Sequence, residues 1–415
     1  MQKKTIIFFP VEIGLAHIVR SLGIAEELKK RGHRIIFALP KRKWALLEKS
    51  TIIPIDITPY HDKESVGVIH IVKNIPHLER LVHDDLRMLE TYRPDSTVVD
   101  FRPSAIVASL HTRIPTFCVS GSSSLPFDCY LPDFFIRSPF SPLISLITRH
   151  IILKAKEKFM IGPILTLLRK LGTNMCLKEL VYTIKYIVPE QPSYLSLPDT
   201  PKQVHYVGHL TWNGFNHYQK SLKNSFQNSN KTIYITFGGT GFNKTKLISI
   251  TSAVIKAGYN AIVSTGTIAD PLDFPANNNL RVYRYVSTKN ILPFVDAVIC
   301  HGGYGTIIEA ALAGKPIIGI PFNPDQWIHS VRFQELGIGA CVMNKPLQHF
   351  IKAVTLDWED FQDMTSQISE KQIIIQLEKT FNDYSSYLKN LSIFIKKNLA
   401  MNGEKKAADI IESSL

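Results

Sequence analysis

Twice along the chain an apolar strand runs into a turn and then an amphipathic helix, and each time the alternation continues. The first series opens with Thr5–Pro10 (TIIFFP). A helix from Ile18 to Arg31 follows, with Ile18, Leu22, Ala25 and Leu28 on one face and Gly32 at the expected C-cap. Arg34–Leu39 is the next strand. Strand Thr97–Asp100, helix Ser104–His111 and strand Thr116–Val119 form a second unit. The other series opens with Thr232–Phe237 and a helix near Lys244–Ala257. It continues through strands Ala261–Ser264, Leu280–Tyr285, Asp296–Cys300 and Pro316–Pro321. Such alternation means parallel sheets with right-handed crossovers, hence an α/β chain of two doubly wound halves. Ligands of such folds bind at the carboxyl ends of the strands.

Between the two series, 209–230 is polar and dense in Asn and Ser, and reads as an interdomain linker. The expected domains are therefore 1–208 and 231–380, with C-terminal helices over 381–415. In the tail, Phe381, Tyr384, Leu388, Leu391, Ile395 and Leu399 share one helical face. The stretch 121–200 interrupts the pattern: Ser/Pro-rich, then helical, apolar and basic, it reads as an insertion.

Composition removes several function classes. At 45% apolar and 20% charged over 415 residues, disorder is excluded as the main state. The longest charge-poor runs, 138–148 and 159–168, are too short to span a bilayer. No cleavable signal peptide is expected, because Pro10 and Glu12 break the first apolar run. The five cysteines are odd in number, dispersed and without a CxxC pair, which points to a reduced cytoplasmic setting. The net charge of +13 is concentrated in 1–208, which carries +9. No nucleic-acid-binding signature accompanies it, so a phosphorylated ligand or an anionic membrane is the better partner class.

The densest chemistry lies in Asp296–Gly339, DAVICHGGYGTIIEAALAGKPIIGIPFNPDQWIHSVRFQELGIG. A buried strand ends at Cys300, and His301, Gly302, Gly303, Tyr304, Gly305 and Thr306 turn into a helix. Glycines let backbone approach a ligand, and free N–H groups at a helix start attract an anion. His301 and Thr306 add donors there. Glu309, three residues on and on the same face, suits the hydroxyls of a sugar such as ribose. Asp325 and Gln326, after the next strand, suit a polyol.

The whole run resembles the nucleotide-sugar signature of GT-B glycosyltransferases of the UDP-glycosyltransferase group, related to the peptidoglycan GlcNAc transferase. It departs from that pattern at His329-Ser330, where Asn-Ala is usual. The resemblance extends to Ile235–Gly239 as a second phosphate loop, with Gly239 and Thr240 contacting the diphosphate. It also extends to Tyr285 and Val286, where the base is held, and to a closing helix around NGEKKAADIIE. In the first half, GLAHIVRSL (14–22) and Arg31-Gly32-His33 resemble the family's GxGHxxRSL…RGH, with Ala16 in place of Gly. The resemblance implies a GT-B fold, two Rossmann-like domains facing a cleft, with His17 as general base. Asp100 ends a strand and either orients His17 or caps the next helix.

The expected activity is that of an inverting hexosyltransferase, moving a hexose from a UDP-sugar to a hydroxyl of a lipophilic small molecule or lipid. No metal and no cofactor are expected. A non-catalytic sugar-nucleotide-binding subunit and a sugar-nucleotide epimerase are the alternatives. Asp84-Asp85 reads as a solvated face, and His61, His70, His77 and His83 form no helix-spaced metal pair. The segment 130–172 carries +5 among large apolar residues, which suits a lipophilic acceptor or an anionic membrane at the inner face.

Overall fold

The computed structural model describes residues 2–48, 50–60, 74–126, 141–195, 200–211, 226, 228–238, 243–344, 348, 352, 358–398 and 401–415. The chain forms two compact units: residues 1–130, 149–214 and 401–415, and residues 131–148 with 215–400.

The first unit holds a seven-stranded, wholly parallel sheet. Its strands are β1 (Thr5–Pro10), β2 (Arg34–Ala38), β3 (Pro54–Ile55), β4 (Ser96–Asp100), β5 (Thr116–Val119), β6 (Lys185–Val188) and β7 (Val204–Tyr206), in the order β3-β2-β1-β4-β5-β6-β7. Ile6, Ile7, Phe8 and Phe9 are all fully buried, as a strand covered on both faces requires. Strand β6 lies inside the stretch read as an insertion, so the sheet resumes before the linker. Strand β3, only Pro54–Ile55, is too short to show a period.

The second unit holds a six-stranded parallel sheet. Its strands are β8 (Thr232–Thr236), β9 (Asn260–Ser264), β10 (Leu280–Tyr283), β11 (Ala297–Cys300), β12 (Ile317–Gly319) and β13 (Gly339–Cys341), in the order β10-β9-β8-β11-β12-β13. Each sheet therefore reverses its winding between two neighbouring central strands, β1 and β4 in the first, β8 and β11 in the second.

The domain limits differ from the expected ones at the C-terminus. Helix Tyr384–Asn398 belongs to the second unit, where Tyr384 donates to the Asp296 carbonyl at 3.0 Å and Asn390 to that of Gly337 at 3.0 Å. Helix Gly403–Glu412 instead joins the first unit. Arg31 Nη1 donates to Asp409 and Glu412, both at 2.6 Å, and His33 Nε2 lies 2.8 Å from Glu412. Glu404 accepts from the Thr211 backbone at 2.6 Å. Most of the linker lies outside the described residues.

Asp85 corrects the expectation of a solvated acidic pair. Helix Ile75–Tyr92 buries Leu78, Leu81, Val82, Asp85 and Leu89, so Asp85 occupies a position in the apolar stripe. Its carboxylate is fully buried and accepts from Arg102 Nη2 at 3.0 Å and Nε at 3.1 Å. Arg102 also donates to the Thr58 carbonyl at 3.1 Å, beneath the ring of Tyr60. Asp84, next in sequence, stays near the surface and bonds Arg87 and Thr58. Breaking a buried pair leaves an uncompensated charge. Asp85→Ala is therefore expected to lower unfolding stability by about 3–5 kcal/mol. The double change Asp85→Leu/Arg102→Met should recover much of that loss, as read by guanidinium chloride unfolding.

Candidate active site

In the first unit the loops at the winding reversal carry the charged groups. Strand β1 ends at Pro10, paired with Asp100 at the end of β4. Gly14, at φ +81°, turns the chain into helix Leu15–Lys30. Ala16 lies inside that helix, so the left-handed position falls on Gly14 and the Ala substitution meets no obstacle. His17, in the first turn, places Nδ1 2.6 Å from Asp100 Oδ1. Its ring lies 5.7 Å from that of Phe101, a non-glycine residue at φ +56°. A left-handed residue of this kind is held in place by its surroundings. The Asp100 side chain is fully buried, whereas His17 keeps 24% exposure.

Asp100 does not cap the next helix. The N-cap of Pro103–His111 is Arg102, with no side-chain cap bond. Instead Asp100 accepts from Arg20 twice, at 2.5 Å from Nε and 2.5 Å from Nη2, and from Ser21 at 3.4 Å. Burial works to raise its pKa, yet Arg20 and His17 outweigh it and hold the carboxyl below its ordinary value. An ionised Asp100 only accepts, so His17 Nδ1 carries the proton and Nε2 is left as a base. Arg20 had no assigned role in the sequence, although its spacing of three from His17 puts both on one helical face.

In the second unit the equivalent reversal carries backbone rather than charge. His301 follows β11, and Gly238, at φ +66°, follows β8. A Cβ on Gly238 would come within 3.1 Å of the His301 ring, and one on Gly303 within 2.5 Å. Burial pushes His301 down to about 4, against a hydrogen bond to the Thr236 backbone and the charge of Asp325. The imidazole is therefore neutral at pH 7, a donor without charge. Helix Tyr304–Leu312 starts at Gly303 with no side-chain cap, which leaves its first N–H groups open. Gly239 and Thr240 lie outside the described residues.

Glu309 accepts from the hydroxyl of Thr288, a residue the sequence reading did not single out. Burial raises the Glu309 carboxyl above its ordinary range, opposed by that bond and by Lys289. Tyr285 shows 48% of its surface, and Val286 and Thr306 are half-buried. Asp325 is also 48% exposed and free of helix capping duty, which falls to Asn323. Gln326 departs from expectation: it is 5% exposed and its Oε1 accepts from the Phe322 backbone at 2.8 Å. Its carbonyl shapes the loop that presents Asp325, while its amide N–H₂ group is not engaged by that bond. His329, the unusual residue of the motif, is buried with Nε2 3.6 Å from Asp325 and its ring 5.3 Å from Tyr304. Among the described residues no three His, Cys, Asp or Glu side chains gather into a metal cluster.

Gly302 is the tightest point of this loop. At φ +83°, a Cβ would meet Ser330 Oγ at 2.2 Å and the Gln326 carbonyl at 2.7 Å. Gly302→Ala is expected to lower stability by about 1–3 kcal/mol through overpacking. It should also weaken nucleoside diphosphate binding at least ~10-fold in calorimetric titration, because the helix start is displaced. Gly305, with open space where a Cβ would stand, should accept Ala with no loss of melting temperature.

The comparisons with known proteins agree with this geometry. Residues 232–377 match the glycosyltransferase family 28 C-terminal domain. A PGL/p-HBAD biosynthesis rhamnosyltransferase of Mycobacterium bovis (strain BCG / Pasteur 1173P2) is 25% identical over 363 residues, covering 84% of this chain and 78% of the relative. The glycotransferase of kitacinnamycin superposes with a TM-score of 0.71 at 16% identity, over 100% of this chain and 99% of that one. SsfS6 of Streptomyces sp. SF2575, solved with thymidine diphosphate, does so with 0.63 at 15% identity, over 99% of each chain. With two parallel-sheet Rossmann-like units and a family 28 C-terminal domain, this chain is a glycosyltransferase of the GT-B fold.

Proposed function

We propose that the protein is an inverting hexosyltransferase that moves a sugar from UDP to a hydroxyl of a lipophilic acceptor. The observation that carries this reading is the 2.6 Å contact between His17 and Asp100 at the ends of β1 and β4. His17 Nε2 takes the proton of the acceptor hydroxyl as its oxygen attacks the anomeric carbon. The bond from that carbon to the diphosphate breaks, and its electron pair leaves with UDP. One displacement inverts the configuration. Asp100 stabilises the imidazolium that forms. Negative charge growing on the diphosphate is met by the open N–H groups of Gly303–Gly305 and by neutral His301 and Thr306, with Gly239 and Thr240 as further contacts. Glu309 holds the ribose, Tyr285 and Val286 the base, and Asp325 the sugar hydroxyls. No metal or cofactor is needed in this scheme.

A second donor reading has one observation in its favour: SsfS6 was solved with thymidine diphosphate. Turnover of UDP- and dTDP-hexoses, with and without a lipophilic acceptor, separates the readings. Acceptor-dependent UDP release is expected, unaffected by EDTA. His17→Ala should cut turnover by roughly 10²–10⁴ with donor affinity near wild type. A near-normal rate in that variant would sink the mechanism. Donor binding without turnover would leave a sugar-nucleotide-binding subunit, and sugar inversion without nucleotide release an epimerase.

The lipophilic acceptor class is supported by helix Ser141–Lys156, which exposes Leu146, Ile147 and Ile151 by 67, 51 and 45%. Among the described residues no helix is long and apolar enough to cross a membrane. The proposed setting is the cytoplasm, with peripheral binding to the inner face of an anionic membrane. Lys156 does not take part, being buried with Nζ donating to the Leu125 carbonyl at 2.8 Å. Lys154, Lys158, Arg169 and Lys170 are exposed cations of the stretch, and Lys154 shares its charge with Glu157 at 2.9 Å. The protein should co-sediment with anionic vesicles at low salt. Lys154→Glu/Lys158→Glu should abolish this while sparing UDP binding, since each basic residue contributes about 1 kcal/mol. No binding at low salt would point to a soluble acceptor.

A further inference from the structure

Arg20 is the one charged side chain in the His17–Asp100 cluster to which the scheme above gives no role, and the inference drawn from it rests on His17 being the base. We propose that Arg20 is a positioning residue of the reaction. It forks onto Asp100, fixing the carboxylate against His17, and takes up part of the carboxylate charge that would otherwise stabilise the imidazolium.

The fork is visible in the distances. Nε meets Oδ2 at 2.5 Å and Nη2 meets Oδ1 at 2.5 Å, two parallel charge-assisted bonds that leave the carboxylate plane little freedom. Asp100 Oδ1 is shared, since it also lies 2.6 Å from His17 Nδ1. Arg20 Nη2 stands 3.1 Å from that same Nδ1. A guanidinium has no acceptor and keeps its proton, and Nδ1 already carries the proton directed at Asp100. Arg20 therefore sits beside the imidazole as a fixed positive charge that cannot bond to it.

A guanidinium and an imidazole share one buried carboxylate. In an isolated His–Asp pair the whole negative charge of the carboxylate would bear on the ring. With Arg20 in place the carboxylate still aims the ring but favours its protonation less. Among the described residues, the further groups seen on the pair are uncharged ones. Ser21 offers a hydroxyl at 3.4 Å. The Phe101 ring lies on His17, and Cys118 on β5 is kept as a thiol, pushed by burial up to about 12.

The test is the pH profile of kcat/KM for wild type, Arg20→Gln, Arg20→Lys and His17→Ala. In Arg20→Gln the positive charge beside the ring is gone, so a protonated His17 persists to higher pH. The acid limb should move up by about one pH unit or more, and the rate at pH 7 should fall by roughly 10- to 100-fold. Arg20→Lys keeps the charge without the fork. Its acid limb should stay within about half a unit of wild type while its rate falls by about 10-fold. An unmoved limb in Arg20→Gln would reduce Arg20 to a structural residue and overturn the proposal. So would a wild-type rate in Arg20→Lys, which remains decisive if Arg20→Gln fails to fold. An active His17→Ala protein would instead overturn the base assignment itself, whatever the Arg20 variants do.

Discussion

Both sheets reverse their winding between two adjacent central strands, and the chemistry of this protein hangs on that reversal. Parallel strands send all their carboxyl ends the same way. Where the crossovers change sides, two neighbouring loops part and leave a space lined by the residues that follow each strand. At β1 and β4 those residues lead to His17 and Asp100. At β8 and β11 they are Gly238 and His301–Gly303. One topological constraint thus supplies two sites of different character.

The two sites solve their electrostatics differently. The first concentrates full charges, one buried carboxylate against a guanidinium and an imidazole, and depends on close geometry to keep that charge satisfied. The second uses no buried cation among its described residues. Its histidine is neutral, its helix start is uncapped, and its glycines bring N–H groups forward without side chains in the way. A site that must move a proton needs a titratable group. In the proposed reaction the second site accepts and releases a diphosphate, and partial charges hold an anion without sealing it in.

Much of this was legible in the sequence, for identifiable reasons. Strands that are apolar throughout, such as Thr5–Pro10 and Thr116–Val119, coincide with the sheet residue for residue. The glycine-rich run after Cys300 announced its turn because glycine spacing is a local property. What escaped depends on contacts between distant segments. Asp85 looks solvated until Arg102, seventeen residues on, is seen to meet it inside the unit. The bond between the Gln326 carbonyl and the Phe322 backbone is a loop contact the sequence does not show. Strand β3, two residues long, exists because β2 offers it an edge, which no periodicity records. Arg20 was in plain view, but its role appears only when the far oxygen of Asp100 is placed in its fork.

The clasp formed by helix Gly403–Glu412 has a consequence for the order of assembly. Arg31 and His33, in the turn between the first helix and β2, find their acidic partners in residues that leave the ribosome after the whole of the second unit. Domains made N-terminal first ordinarily close as they emerge. Here the first unit waits, one helix face and the Arg31 and His33 side chains uncovered, until synthesis has passed through residues 215–400. The nascent chain therefore carries a provisional surface that the finished protein hides, and completion of the first unit reports that the second has been made.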